Sequence, residues 1–149
     1  MSITQKTYKD EKTLKLLSDI YQLELEALNR YLHYSFMIMG YNRIPIQKWF
    51  RGNAQEAMDH AVIIGEKITS LGGHPPIFTP RVDESNLHSI GQLLEESLKV
   101  EEEGISLYKK LVDVATELGD IALEELARDS VRTEVEHADE VRKMMKKPE

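Results

Sequence analysis

The stretch Leu94-Glu95-Glu96-Ser97-Leu98-Lys99-Val100-Glu101-Glu102-Glu103-Gly104-Ile105 decides how this chain folds. Leu94, Leu98, Ile105, Tyr108 and Val112 recur at helical spacing around Glu101. They form one apolar stripe with Glu101 at its centre, while Glu102 and Glu103 point elsewhere. Glu24 repeats the arrangement among Leu17, Ile20, Leu28 and Tyr31. An ionised carboxylate buried midway along a helix is costly unless it is paired or metal-bound. Two such glutamates, far apart in sequence, ask for a cation between them.

Working outward, each glutamate has a histidine partner at the same distance. Glu24 precedes His60 by 36 residues, and Glu101 precedes His137 by 36. In the second half Glu134 stands three residues before His137, so both reach one helix face. The equivalent position in the first half, 57, is Ala. A lone Glu-x-x-His on a helix means little, because polar pairs at that spacing are routine on solvated faces. A lone His60 on an apolar face is more often a satisfied core histidine. The joint pattern, with two core-facing glutamates and a repeated spacing, points instead to an inward metal site. Glutamates with imidazoles suit iron, manganese or zinc better than calcium or copper.

Helix-period patterns cover most of the chain, at about residues 12–40, 46–71, 86–118 and 121–147. Each pattern is long enough for a helix of roughly 40 Å at about 1.5 Å per residue. Gly72-Gly73 ends the second, Ser85 offers a cap for the third, and Gly119-Asp120 turns into the fourth. The segment His74-Pro75-Pro76-Ile77-Phe78-Thr79-Pro80 is too rich in proline for helix. The first and third connections are short, so those helix pairs are antiparallel hairpins. The middle connection is long enough to cross the bundle and leave helices two and three parallel. The expected fold is all-α, one domain over 1–149, a four-helix bundle with a long crossover.

Composition narrows the function classes. The chain has 149 residues, no cysteine and a net charge of −7. Thiolate sites and disulfides are excluded, and the acidity disfavours nucleic acid. No apolar stretch reaches the roughly 18 to 20 residues of a membrane span. Met1-Ser2-Ile3-Thr4-Gln5-Lys6 carries no signal-peptide pattern, so a cytoplasmic location is the expectation.

From Tyr8 to about Met145 the chain resembles the bacterioferritin branch of the ferritin-like superfamily. The stretches that carry this are Glu24-Leu25-Glu26-Ala27-Leu28-Asn29-Arg30-Tyr31, Met58-Asp59-His60-Ala61, Leu71-Gly72-Gly73-His74-Pro75, Glu101-Glu102-Glu103-Gly104 and Glu134-Val135-Glu136-His137. The resemblance implies a ferritin-like bundle that oxidises Fe(II) with O2 or peroxide and stores the ferric product in a 24-subunit homo-oligomer. It implies terminal carboxylates at Glu24 and Glu101, histidine ligands at His60 and His137, a bridging carboxylate at Glu134 and a nearby tyrosine, Tyr31. It also implies haem b held by Met58 at a two-fold interface.

Three departures bear on those expectations. Ala57 replaces the second bridging glutamate. Glu56 beside it lies about 40° to one side of His60 around the helix, and Ala57 about 60° to the other. Glu56 is therefore expected to serve as a metal ligand only through a local shift such as a π-bulge. The chain stops at Glu149 with no fifth-helix pattern, so a dodecamer or dimer competes with the cage. Gln55 and Asp59 make the surroundings of Met58 polar for haem. Beside iron oxidation stand two alternatives: a non-oxidising metal- or haem-binding bundle, and a di-metal oxidase acting on an organic substrate. A Dps-type site between subunits would leave Glu24, Glu101 and Glu134 in one core unexplained.

Overall fold

The computed structural model describes residues 10–148, and the Met1–Lys6 stretch lies outside them. Four helices follow in order: α1 (Glu11–Met37), α2 (Arg43–Ser70), α3 (Ile90–Leu118) and α4 (Ile121–Met145). No strand occurs among the described residues, and no helix there is long and apolar enough to cross a membrane. The all-α bundle expected from the sequence is the observed fold.

Capping chemistry sets the helix starts. The Asp10 carboxylate accepts from the Thr13 N–H, and Asp120 accepts from the Leu123 N–H. Ser89 caps α3 in a reciprocal box with Gln92. Here the structure corrects the sequence reading, which started this helix near Ser85. Asn86 takes φ +59°, and helix begins only beyond it. The connection therefore runs over 71–89, longer than the run of prolines suggested.

The other boundaries shift for physical reasons. The first helix stops at Met37, short of Gly40, because Ile38 is extended and Gly40 turns at φ +94°. The second begins at Arg43 and carries Pro45 in its first turn. Proline fits there because the N–H it lacks would have had no helical partner. The fourth ends at Met145, before Lys147, with Arg142 and Lys143 in its last turn. Gly119 closes α3 at φ +69°, the left-handed conformation that glycine adopts without strain.

α1 packs on α2, α3 packs on α4, and the two hairpins meet through α1 and α3. The core falls into two apolar halves. One contains Leu17, Ile20, Ile64, Ile68, Tyr108, Leu111, Leu123 and Ala127. The other contains Ala27, Tyr31, Tyr34, Phe50, Ala57, Leu93, Leu94 and Val141. On α1 the switch from one half to the other falls between Ile20 and Ala27, and Glu24 lies in that gap. Glu101 lies between Leu94 and Tyr108 on α3, and Glu134 between Ala127 and Val141 on α4. The buried carboxylates thus form a polar layer between two apolar blocks.

Candidate metal centre

Glu24, Glu101 and Glu134 are only 5, 3 and 7 % exposed. They share one small cavity with His60, His137, Tyr31, Ala57 and Gly104. Two groups there could hold a metal ion: Glu24, His60 and Glu134, and Glu101, Glu134 and His137. Glu134 belongs to both. Each group combines a carboxylate private to it, an imidazole and the shared Glu134.

The imidazoles aim inward. His60 Nδ1 lies 3.4 Å from both Glu24 Oε1 and Glu134 Oε1. It is aligned for a hydrogen bond with neither, and it is buried without a partner. Glu101 Oε2 is likewise buried and unpartnered. His137 Nδ1 faces that oxygen at 3.7 Å. Buried polar atoms normally find partners, so these two orphans, one in each group, suit a cation in each.

Charge tells the same story. Glu134 and Glu24 hold the His60 imidazolium up to about 10 against the cost of burial. Burial, followed by Glu101 and Glu24, pushes Glu134 up to about 9, with His60 pulling the other way. Burial also works to raise Glu101, but His137, Glu134 and Tyr31 outweigh it and hold its carboxyl below the usual value. Glu101, more than burial opposes, raises His137. Without a metal the cluster must hold protons to balance its carboxylates. A divalent cation would supply that charge from a single point.

Two tyrosines clamp the terminal carboxylates across the bundle. Tyr31 on α1 donates to Glu101 Oε1 on α3. Tyr108 on α3 donates to Glu24 Oε1 on α1 at 2.8 Å. The crossed pairs require α1 and α3 to run antiparallel, which leaves α2 and α3 parallel as the crossover predicted. Burial first, then the adjacent carboxylates, raises both phenols, so each stays a donor. The sequence reading counted Tyr31 as a site residue and left Tyr108 as stripe. The signal was present: each tyrosine follows its own helix's glutamate by seven residues.

Ala57 is 4 % exposed and lines the cavity where a further carboxylate would enter. α2 is regular α-helix throughout, with no π-bulge. Glu56 is half-exposed and also lines the cavity, and its Oε2 lies 2.6 Å from His137 Nε2, the ring nitrogen other than the one facing Glu101. It stands outside both ligand groups. A carboxylate there favours the proton on Nε2 and leaves Nδ1 for the cavity. A Cβ at Gly104 would make only ordinary contact with Glu134 Oε2, at 3.6 Å.

Met58 points away from this centre. It is 49 % exposed and lines a shallow groove with Tyr21, Leu25, Ala61, Val62 and Pro75. Gln55 and Asp59 hydrogen-bond to one another at 3.0 Å.

Comparisons with known proteins fit this geometry. The Ferritin family, described as the ferritin-like domain, matches residues 14–149. Comparison with curated proteins finds no match. Among solved structures, a ferritin-like, diiron-carboxylate protein from Bacillus anthracis strain Ames superposes with a TM-score of 0.86 at 25 % identity, covering 98 % of this chain and 100 % of that one. A bacterioferritin from Rhodobacter capsulatus, described with a metal-free dinuclear site and haem iron, superposes with a TM-score of 0.80 at 25 % identity. It covers 91 % of this chain and 84 % of that one. A buried layer of carboxylates and imidazoles, a four-helix bundle with a long crossover and a family match over nearly the whole length have one meaning: this chain belongs to the ferritin family.

Proposed function

We propose that this protein takes up Fe(II) at the centre of its bundle and oxidises it, as an iron-storage or detoxification protein. The observation that carries this is the pair of carboxylate–imidazole groups joined through Glu134. Two adjacent groups suit two ferrous ions as substrate. Their oxidation by O2 balances as two Fe(II), one O2 and two protons giving two Fe(III) and one H2O2. Glu24, Glu101 and Glu134 favour the higher ferric charge. His60 and His137 fix geometry, and both must release a proton to bind. Tyr31 and Tyr108 hold the terminal carboxylates in place. The similar Bacillus anthracis protein is a diiron-carboxylate protein, which supports iron over manganese or zinc.

Mixing the metal-free protein with Fe(II) in air should give a ferric absorbance within seconds to minutes. The double variant Glu101→Ala/Glu134→Ala should slow this to the rate of buffer. Equal rates in the two proteins would overturn the reading.

Ala57 favours a second reading, in which the bundle binds iron or zinc without oxidising it. Here a second bridging carboxylate is absent, and Glu56 contacts the Nε2 of His137. Stoichiometric metal uptake without oxygen consumption would select this reading. The third alternative, a di-metal oxidase acting on an organic molecule, needs a substrate pocket beside the centre, and the small cavity favours a metal ion alone.

The groove around Met58 bears on assembly. A half-exposed thioether in a mixed groove, with Leu25, Val62 and Pro75 beside Glu66 and Thr69, suits a subunit interface. We assign homo-oligomer formation to this face, with haem b between two Met58 side chains as an additional ligand. An absorbance band of haem in protein purified from haem-supplied cells, lost in Met58→Leu, tests that part separately.

A further inference from the structure

A second cluster of metal-binding side chains lies apart from the bundle centre. His33 on α1, Glu84 in the crossover and His88 just before α3 come together although His33 and Glu84 are 51 residues apart. His88 Nε2 lies 2.9 Å from Glu84 Oε1, and His33 Nε2 contacts Glu84 Oε2. The two imidazole rings meet edge to face, with centroids 6.2 Å apart. One nitrogen from each histidine and one carboxylate oxygen fall within 4.8 Å of one another.

The carboxylate is held in place and held ionised. The Asn86 N–H donates to Glu84 Oε1 at 2.8 Å. That bond, then His88 and His33, lowers the Glu84 carboxyl to about 2. Two imidazole nitrogens with one carboxylate oxygen form a three-donor set that leaves a fourth position for water. The donor chemistry selects first-row divalent ions, with zinc foremost, over calcium or magnesium. At metal–ligand bonds of about 2.0–2.2 Å, tetrahedral donors lie roughly 3.4 Å apart, so small side-chain rotations suffice here.

We propose that His33, Glu84 and His88 form a surface zinc site that fastens the crossover to α1. Each donor is at least partly exposed, so an ion reaches the site directly from solvent. The same contacts without metal make only a hydrogen-bonded latch, with Glu84 shared between two rings. With metal, the three side chains become one coordination unit joining the two hairpins' connecting segment to the first helix. The site is independent of iron oxidation and stands whether or not the bundle centre oxidises iron.

The test uses untagged full-length protein and Zn(II) alone. Glu101→Ala/Glu134→Ala, which removes the shared Glu134 and the private carboxylate of the second group, should still bind one Zn(II) per chain. Adding His33→Ala and His88→Ala should abolish that equivalent. In the otherwise unaltered protein, His33→Ala/His88→Ala should lose one equivalent of total Zn(II), which covers the case of poor folding in the first background. Zn(II) should also slow proteolysis within residues 71–89 several-fold, and only when both histidines are present. Zinc uptake unchanged by loss of both histidines overturns the proposal, as does failure of the centre-deleted protein, properly folded, to bind zinc.

Discussion

Tyr108 on α3 reaches across the bundle and donates a 2.8 Å hydrogen bond to Glu24 on α1, and Tyr31 on α1 makes the reciprocal bond to Glu101 on α3. Each terminal carboxylate is thus held by the helix opposite its own. Hydrogen bonds to charged groups contribute about 1.5–3 kcal/mol. Tyr108→Phe should therefore lower the urea-unfolding stability of the metal-free protein by about 2 kcal/mol, and Tyr31→Phe should match it. A loss under about 0.5 kcal/mol for both would mean the clamps carry little energy.

Ala57 marks the place of an absent carboxylate. Ala57→Glu puts a fifth acidic group into a cavity already lined by Glu24, Glu56, Glu101 and Glu134. Without metal the added buried charge should cost about 3 kcal/mol. With metal, affinity should tighten about tenfold, equivalent to ~1.4 kcal/mol. Thermal melts with and without Co(II) read both effects together, and the gap between them should widen relative to the parent. A narrowed gap would show that the new side chain does not face the ions.

Glu56 contacts His137 from outside at 2.6 Å. Glu56→Gln keeps the shape and removes the charge. Outer partners of metal-binding histidines are commonly worth 10–100-fold in metal affinity. Isothermal titration with Co(II) should show the phase of the His137 group weakened about tenfold, while the other phases are unchanged. Equal weakening of both phases would assign Glu56 a general electrostatic role.

The metal-free protein should lose stability as pH rises. His60 is raised from 6.5 to about 10 by Glu134 and then Glu24. A raised base stabilises the fold fully below its unfolded value, and that contribution fades between 6.5 and about 10. Glu134 is raised from 4.5 to about 9, chiefly by burial. An acid raised in the fold costs stability progressively above its unfolded value, up to about 9. Both slopes have the same sign from pH 6.5 to 9, so the urea midpoint should fall steadily across that window. A flat or rising midpoint would contradict the proton-balanced cluster.

Much of this centre is legible in sequence because helical periodicity is local. Glu24 and Glu101 each sit at the middle of an apolar stripe, so their burial follows from spacing alone. His60 and His137 follow from the repeat, Glu134 from its spacing of three to His137, and Ala57 stands at the position equivalent to Glu134. Burial of the stripe also sets the bundle, since four amphipathic helices of this length have one economical way to cover their apolar faces.

What the tertiary structure decided depends on which side chains meet across helices, and no single helix encodes that. Spacing showed Tyr108 on the core face but not that its hydroxyl ends on Glu24. Helical angles placed Glu56 beside the centre, yet only the assembly of the two hairpins brings its carboxylate to the Nε2 of His137. His33, Glu84 and His88 gave no motif at all, because their meeting depends on the path of an irregular crossover. The paired 36-residue spacing pointed to a candidate metal centre in which Ala57 stands where a carboxylate is expected. Packing determined how that centre is held, and the crossover added a second cluster beside it.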